Sequence, residues 1–275
     1  MPSAQPEAKK YLAGQAEGIL DNFSRRTVEN SAAYLRPSLE PHMHILDIGC
    51  GPGSITIDLA RHVPQGHVTG IEVSFAVLEK ARAQAKAVGI TNTTFAPGDG
   101  LALPFADNTF DVAHAHQVAQ HVGREQVAFL CEMLRVTKPG GFVACRVWDS
   151  NTLIVHPPRE GVDVMRAMSR RMDERLRKPL DDGRNLHIWA RHAGYDPARI
   201  KVSTSTWTYR TPEERKYHGT PFQSMCVDSE WASAGLEMGL TTKEELQKMS
   251  EGWQQWIEDE DGFSVMLHVE MLYRK

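Results

Sequence analysis

An apolar run that breaks into three alternate glycines is the feature that most constrains the fold of this chain. Residues 44–53 read HILDIGCGPG, and an acidic residue, Glu72, lies 19 positions after Gly53. An apolar run before glycines predicts a buried parallel strand that enters a tight turn and then a helix. In such a unit the glycines let a ligand lie against the backbone, and an acid at the end of the next strand accepts hydrogen bonds from ribose hydroxyls. The pattern therefore predicts a nucleoside-containing cofactor.

The spacing of the glycines indicates which cofactor this is. The dinucleotide fingerprint has its third glycine three residues after the second, a position that Ser54 occupies here, and it uses amide N–H groups to bind a pyrophosphate. This chain has Pro52, which has no N–H, and it closes the turn at Gly53. Such a turn, preceded by Asp47, favours a ligand without phosphates, such as S-adenosylmethionine (SAM).

At these residues the sequence resembles the class I SAM-dependent methyltransferases, whose first motif runs here from Leu46 to Gly53. Within that family it looks most like the small-molecule branch related to the ubiquinone/menaquinone C-methyltransferases. Five further matches follow in the family's order: GIEVS at 70–74, GDGL at 98–101, LPF at 103–105, FDV at 110–112 and KPGGF at 138–142. The matches cover Leu46 to Val147, and together they are far more specific than any one of them.

The resemblance implies SAM as the cofactor and S-adenosyl-L-homocysteine as its product. Asp99 stands at the family's adenine-edge position, and Gln117 stands where the family's loop faces the aminoacyl part of SAM. The cofactor-binding residues implied are Asp47, Gly49, Gly51, Gly53, Glu72, Val73, Asp99, Gly100, Leu101, His116 and Gln117.

The predicted fold class is α/β, with a doubly wound, mostly parallel seven-stranded sheet of the Rossmann-like class I methyltransferase type. The predicted strands are 44–48, a strand ending at 72, 93–96, 110–115, 141–147, 202–209 and 263–272. The resemblance implies that the last two form a hairpin with the final strand antiparallel. We predict one domain in three parts: an N-terminal helical cap (1–40), a SAM-binding core (41–150) and a remainder with substrate-lid insertions (151–275).

Helical spacing of apolar residues predicts the buried faces of the helices. The inward positions are expected to be Ile55, Leu59, Ala60 and Val63 in the first helix, Val77, Leu78, Ala81, Ala85 and Val88 in the second, and Val127, Leu130, Cys131 and Leu134 in the third. Ser74 is the expected N-cap of the second helix and Gly89 its C′ residue, while Pro139-Gly140 is expected to end the third.

Both ends of the chain read as additions to this core. Residues 11–39 carry apolar positions at Ile19, Phe23, Val28, Ala32 and Leu35 and predict a helical cap ending at Pro37. Residues 150–185 read as a long insertion, followed by a helix over 187–193 that Gly194 closes. Residues 211–260 are helical and aromatic, and an insertion between the last two strands is expected to lie over the strand carboxyl ends as a lid.

The reaction chemistry is expected at the end of the fourth strand, where three histidines occur in eight residues. Period two puts His114 and His116 on one face, with His116 nearer the cofactor. His114 reads as a hydrogen-bonded core histidine. We predict no metal site, because no Cys pair or acid motif completes a ligand set. His116 is the first candidate general base and His121 the second, and Asp149 is a candidate to orient that histidine, to bind substrate or simply to form a turn.

The composition of the chain narrows the classes of partner and location that we expect for this protein. The chain has 275 residues, 41% hydrophobic and 24% charged, with a formal net charge of −4. An acidic balance is not typical of a nucleic-acid binder, so the expected partner is a small-molecule substrate. Four unpaired cysteines, a polar N-terminus and the lack of an 18-residue apolar run predict a cytoplasmic protein without stable membrane insertion. The oligomeric state is left open.

Two further stretches allow alternative interpretations. Residues 166–178 form a basic amphipathic pattern that fits a solvated helix face, an anionic substrate or a membrane surface. Trp231, Trp253 and Trp256 fit either the lid's own core or an aromatic substrate cage.

We therefore predict a SAM-dependent methyltransferase that acts by in-line displacement on a small, secondary-metabolite or quinone-like acceptor that is apolar or aromatic. The alternative is a SAM-binding protein without methyl transfer, in a regulatory or other non-methylating role. Ser54 and Pro52 disfavour a nicotinamide dehydrogenase.

Overall fold

The computed structural model describes residues 25–176, 182–227 and 229–275. Its centre is a sheet of eight strands in the order β3-β2-β1-β4-β5-β8-β6, with β7 paired to the other edge of β8. The strands are β1 (His44–Ile48), β2 (His67–Glu72), β3 (Thr93–Pro97), β4 (Phe110–His116), β5 (Thr137–Trp148), β6 (Ile154–His156), β7 (Ile200–Tyr209) and β8 (Phe263–Arg274).

The strand directions confirm the predicted doubly wound, mostly parallel arrangement. Strands β1 to β5 are parallel to their neighbours, whereas β8 is antiparallel to both β5 and β7, so β7 runs in the direction of β5. The sheet has one strand more than predicted. This extra strand, β6, is only three residues long and pairs with the start of β8, inside the stretch interpreted as an irregular insertion.

Nine helices are described around the sheet. They are α1 (Val28–Ser31), α2 (Ser54–His62), α3 (Phe75–Ala87), α4 (Gln126–Val136), α5 (Glu160–Arg175), α6 (Asp182–His192), α7 (Pro212–Val227), α8 (Glu230–Glu237) and α9 (Lys243–Glu258). Helix α6 begins five residues before its predicted start, and α5 lies within the stretch predicted as an insertion. No helix of the described residues is long and apolar enough to span a membrane.

Both ends of α3 and the end of α6 agree with the capping residues predicted from the sequence. The Ser74 hydroxyl accepts a hydrogen bond from the N–H of Val77 at 3.5 Å, and Gly89 and Gly194 have φ values of +72° and +90° after their helices. The predicted inward face of α2 is buried as expected.

Two helix predictions were wrong. In α4 the buried positions are Gln126, Phe129, Leu130, Met133 and Val136, whereas Cys131 is exposed. Leu130 is buried as predicted, and Val127 and Leu134 pack partly against the core, but the buried face runs through Phe129 and Met133 and leaves Cys131 outside it. The helix ends at Val136, and Pro139-Gly140 lies within β5.

In α3 the predicted inward residue Val88 is 48% exposed, because it follows the last helical residue, Ala87, at the surface end of the helix. The four other predicted positions of that helix are buried.

The two faces of the sheet have different cores. One face packs against α4 and α6 through a cluster that includes Phe129, Met133 and Leu186. The opposite face packs against α2 and the segment 25–39, whose Val28, Ala32 and Leu35 are fully buried. That segment contains a four-residue helix and a 3-10 turn at Arg36–Ser38 instead of one continuous helix. The rest of the predicted cap, including Ile19 and Phe23, lies outside the described residues.

Helices α7 to α9 form the unit that was predicted as a lid. They connect the end of β7 to the start of β8, and therefore lie at the edge where the parallel strands end. Their core joins Met165, Met168 and Met172 of α5 to Trp231, Trp253 and Trp256. The three tryptophans thus pack the interior of this unit, and the methionine face of α5 is buried there while Arg170, Arg171 and Arg175 are exposed. Residues 177 and 178 lie outside the described part of the chain.

Candidate functional site

The glycine turn connects β1 to α2 through three left-handed backbone positions. The φ values of Gly49, Gly51 and Gly53 are +66°, +53° and +86°, and Gly53 is the N-cap of α2. Glycine adopts such values without the strain that a side chain would introduce. A Cβ atom on Gly49 would also lie 2.4 Å from Cγ2 of Val118, so this position requires glycine for space as well.

The carboxylate of Glu72 lies beside this turn. Its Oε2 accepts the N–H of Gly51 at 3.3 Å, and its Oε1 accepts the N–H groups of Val73 at 2.9 Å and Ser74 at 3.2 Å. Burial raises the pKa of Glu72, and the three amide hydrogen bonds oppose that rise by favouring the ionised form. The predicted acid at the end of β2 is therefore held by backbone groups against the predicted glycine turn.

Asp47 lies one residue before the end of β1, but its carboxylate is bonded inside the protein. Its Oδ1 lies 2.7 Å from Nδ1 of His114, and its Oδ2 accepts the hydroxyl of Thr56 at 2.5 Å. Both Asp47 and His114 are buried. His114 is thus the hydrogen-bonded core histidine that the sequence predicted, while contact of Asp47 with the cofactor stays a prediction.

The GDGL motif forms a turn after β3. Oδ1 of Asp99 accepts the N–H of Leu101 at 2.9 Å, and Asp99 itself is exposed. A Cβ atom on Gly100 would lie 2.6 Å from Cε2 of Phe129, so the turn packs closely on α4. This places the predicted adenine-edge residue at the same edge of the sheet as Glu72, because β2 and β3 are parallel neighbours.

Gln117 follows β4 with a left-handed backbone, φ +56°. Its N–H donates to the carbonyl of Arg146 at 2.8 Å, and its Oε1 accepts Nη2–H of Arg26 at 3.1 Å. Its Nε2 lies 2.9 Å from Nε2 of His268. The side chain of Gln117 therefore connects the segment 25–39 to β8.

His116 is the last residue of β4 and is buried, with 6% of its surface exposed. Neither of its ring nitrogens has a hydrogen-bond partner among the described residues. Burial lowers the pKa of His116 well below its usual value, and the positive charges of Arg26 and Arg146 lower it further. The ring is consequently neutral, and it packs near Trp207 with a centroid separation of 5.7 Å.

A group of side chains on β5, β7 and β8 lies near His116, three of them buried (Arg146, His268 and Glu270) and two half-buried (Ser205 and Trp207). We call Arg146, Ser205, Trp207, His268 and Glu270 the arginine cluster. Arg146 is fully buried; its Nε and Nη2 lie 3.2 and 2.9 Å from Oγ of Ser205, and its Nε lies 3.3 Å from Oε1 of Glu270. Its guanidinium carbon lies 4.8 Å from the centre of the Trp207 ring. Burial lowers the pKa of Arg146 to about 10, although the Glu270 carboxylate opposes this.

Sequence reasoning missed the arginine cluster. Arg146, His268 and Glu270 occupy alternate positions of apolar strands and pair in register: Arg146 opposes both His116 and Glu270. The sequence did contain a signal for this cluster. Polar residues at every second position of an otherwise apolar strand indicate that one buried face of the strand is polar.

His121 and Asp149 are separated from these contacts. His121 ends a 3-10 turn, Ala119–His121, and is exposed. Asp149 is buried and forms a two-pronged ion pair with Arg184, in which Nε and Nη2 each lie 2.8 Å from a carboxylate oxygen. Burial acts to raise the pKa of Asp149, but the pairing with Arg184 outweighs it and the pKa is lowered. Asp149 does not orient His116, whose ring has no hydrogen-bond partner within the described ranges.

Across the described segments, His, Cys, Asp and Glu side chains form no group of three or more suited to a metal ion. Of the three histidines near the end of β4, His114 is bonded to Asp47, whereas His121 lies at the surface.

Proteins named as methyltransferases are similar to this chain in sequence and in fold. A family model described as a methyltransferase domain matches residues 45–141. A protein of Schizosaccharomyces pombe named an uncharacterized methyltransferase is 34% identical over 99% of this chain and 99% of its own length. A demethylmenaquinone methyltransferase of Anoxybacillus flavithermus is 34% identical over 48% of this chain and 56% of its own length.

Two solved structures show the same fold at low identity. A protein of Bacillus halodurans has a TM-score of 0.56 with 18% identity, and the match covers 88% of this chain and 97% of that one. A phosphoethanolamine N-methyltransferase of Haemonchus contortus, solved with S-adenosylhomocysteine, has a TM-score of 0.51 with 17% identity, covering 88% and 53%. Together with the full-length relative, these findings confirm the predicted class, an α/β SAM-dependent methyltransferase. The chain belongs to the methyltransferase family, and S-adenosylmethionine is its cofactor.

Proposed function

We propose that this methyltransferase binds SAM across the glycine turn and Glu72 and transfers its methyl group to a small, apolar or aromatic acceptor, quinone-like or of another secondary-metabolite class. The observation that carries the proposal is the contact between Oε2 of Glu72 and the N–H of Gly51 at 3.3 Å. It fixes a carboxylate beside the glycine turn. In this proposal Glu72 binds the ribose hydroxyls, and Gly49, Gly51 and Gly53 lie against the rest of the cofactor.

The residues around Glu72 fit a nucleoside. Val73 and Phe75 follow it directly and are 52% and 66% exposed, which leaves apolar surface beside the carboxylate. A planar base fits against such a surface, and the exposed Asp99 on the turn after β3 supplies a carboxylate for its edge. The turn also lacks one backbone N–H that a pyrophosphate ligand could use, because Pro52 lies between its last two glycines.

The acceptor is proposed to bind at the carboxyl end of β4, between His116, Gln117 and helices α7 to α9. Aromatic rings meet there: His116 and His268 lie 5.7 and 4.5 Å from the Trp207 ring. The similarity to a demethylmenaquinone methyltransferase supports a quinone-like acceptor for this chain. A single small molecule fits this arrangement better than nucleic acid does, since the chain carries a formal charge of −4. We place the enzyme in the cytoplasm.

The protein's part in catalysis is then to position the acceptor and to exclude water. Bound SAM supplies a methyl group that is already a good electrophile. In-line alignment of the acceptor is therefore the main requirement. For an acceptor with an acidic proton, His116 is our first candidate base and His121 the second. The neutral state of His116 is the one that a base needs, although the two nearby guanidiniums oppose its protonation.

Incubation with deuterated-methyl SAM and a metabolite extract tests the proposal. We expect a product that carries the label, detected by mass spectrometry, and loss of that product in Glu72→Ala. Tight SAM binding without any labelled product would instead support a non-methylating role.

A further inference from the structure

Arg146 of the arginine cluster and Trp148, two residues further along β5, hold buried donors without acceptors. Nη1 of Arg146 and Nε1 of Trp148 carry only hydrogen-bond donors, and neither has a partner among the described residues. The two side chains lie on the same face of β5, two residues apart. A buried donor that has lost water and gained no partner is costly, so such groups in a native protein are met by ordered water, an ion or a bound molecule.

The charges beside His116 include two guanidiniums and one carboxylate, that of Glu270. The charged groups that depress its pKa are Arg26 and Arg146. Glu270 binds Arg146 at Nε and also accepts the hydroxyls of Ser203 and Ser205, which leaves Nη1 without a carboxylate. Another acid of the described residues, Asp47, is bonded to His114 and Thr56.

From these contacts we infer that the acceptor of this methyltransferase is an acid, bound as its anion with the anionic oxygen against Nη1 of Arg146. This inference rests on the proposed function and names its substrate class. A carboxylate or phenolate oxygen would pair the unsatisfied Arg146 donor and offset the excess positive charge.

Two matched pairs of probes test the inference in protein saturated with S-adenosylhomocysteine. Benzoate is compared with benzamide, and 4-nitrophenolate with 4-nitroanisole, by calorimetry. We expect the anion of at least one pair to bind about 10-fold or more tightly than its neutral analogue, the range for hydrogen bonds to charged groups. The pair that discriminates identifies the acid as a carboxylic acid or a phenol.

The double variant removes the guanidinium together with its carboxylate partner and leaves the net charge unchanged, whereas the single variant removes the carboxylate alone. In Arg146→Gln combined with Glu270→Gln, no buried carboxylate is left alone, and anion binding should fall by about 10-fold or more. Glu270→Gln alone keeps the guanidinium and should bind the anion more tightly, which tests the inference even if the double variant does not fold. Arg170→Gln, at an exposed site on α5, is the matched control and should bind as the wild type does.

Two results would overturn the inference: neutral analogues that bind as well as both anions, or anion binding that none of the Arg146 and Glu270 changes alters. Probes that fail to bind the wild type would count against it equally. Failure of the proposed function is a separate outcome, because it would appear as wild-type protein that does not bind S-adenosylhomocysteine at all.

Discussion

Oε2 of Glu72 accepts the backbone N–H of Gly51 at 3.3 Å, although the two residues are 21 positions apart in the sequence. The contact joins the carboxyl end of β2 to the turn after β1. Because β1 and β2 are paired in register, with Ile48 opposite Ile71, the turn and the acid keep a fixed separation. A cofactor that contacts both therefore meets a rigid edge of the sheet.

Replacement of Glu72 tests the ribose contact. Glu72→Ala removes the carboxylate and should weaken SAM binding by about 1.5–3 kcal/mol, as expected for hydrogen bonds to a charged group. Glu72→Gln is the matched control, since it keeps the shape and one acceptor oxygen and should lose less. Calorimetry with SAM measures both variants. Equal affinity of Glu72→Ala and the wild type would show that the ribose binds elsewhere.

Substitutions at two glycines with similar backbone angles distinguish backbone strain from steric overlap. One of them, Gly49, lies in the glycine turn. Gly49 and Gly89 have φ values of +66° and +72°, but an added Cβ meets Val118 at Gly49 and nothing within 4 Å at Gly89. Gly89→Ala should destabilise the protein by about 1–2 kcal/mol through the backbone alone. Gly49→Ala should cost about 1–3 kcal/mol more through overpacking, and should weaken SAM binding as the turn shifts.

For each glycine variant, urea denaturation measures the free energy of unfolding and titration with SAM measures the affinity for the cofactor. Equal destabilisation by the two substitutions would contradict the close approach of Gly49 to Val118.

His116→Ala separates chemistry from cofactor binding. If His116 is the base, turnover should fall by about 10²–10⁴-fold, while SAM affinity stays near that of the wild type. The loss should shrink as pH rises for a phenolic or thiol acceptor, because the nucleophile then ionises unaided. Since the pKa of His116 is well below its usual value, the wild-type imidazole should stay neutral on acidification through pH 6.5.

His121→Ala is the comparison for this experiment, because His121 is the exposed second candidate. Full activity of both variants at every pH would mean that the enzyme works by positioning alone.

Three buried histidines predict loss of stability in acid. Burial lowers the pKa of His218 to about 3, and burial with the charges of Arg146 and Arg26 lowers that of His268 to about 2; His116 is lowered too. Below about pH 6.5 the unfolded chain binds protons at these residues and the folded chain does not. The free energy of unfolding should therefore fall as pH falls from 7 to 5.5, approaching about 4 kcal/mol per pH unit for three protons.

Urea denaturation across that pH range measures the slope. His218→Gln keeps a polar group for the Ser264 hydroxyl, which lies 3.1 Å from Nε2 of His218, and removes one titrating group. It should reduce the slope by about one third. A free energy of unfolding that stays constant or rises on acidification would contradict neutral, buried histidines.

Local sequence determined the elements of the proposed cofactor site. The strands β1 and β2, the helix after the glycines and the cap at Ser74 agree with prediction because each depends on neighbours within a few residues: apolar alternation, a turn residue, a capping hydroxyl. The position of Glu72 beside the turn follows from the same rule, since parallel neighbouring strands end at one edge.

Tertiary structure alone decided which side chains share the buried face at the end of β4. Arg146, Ser205 and Glu270 come from strands β5, β7 and β8, and no local pattern joins residues separated by 59 and 65 positions. Tertiary packing also decided the inward face of α4. Phe129 and Met133 are buried there, whereas Cys131, which the sequence placed inward, is exposed.

Asp149 shows the same limit at a single residue. Its chain position next to β5 suggested a role beside His116, but α6 brings Arg184 to its carboxylate. A sequence records which residues follow one another, whereas the choice of a charged partner depends on helices and strands that meet only when the chain has folded. The glycine turn and its acid were therefore predictable from sequence, and the charge environment of the proposed acceptor site was not.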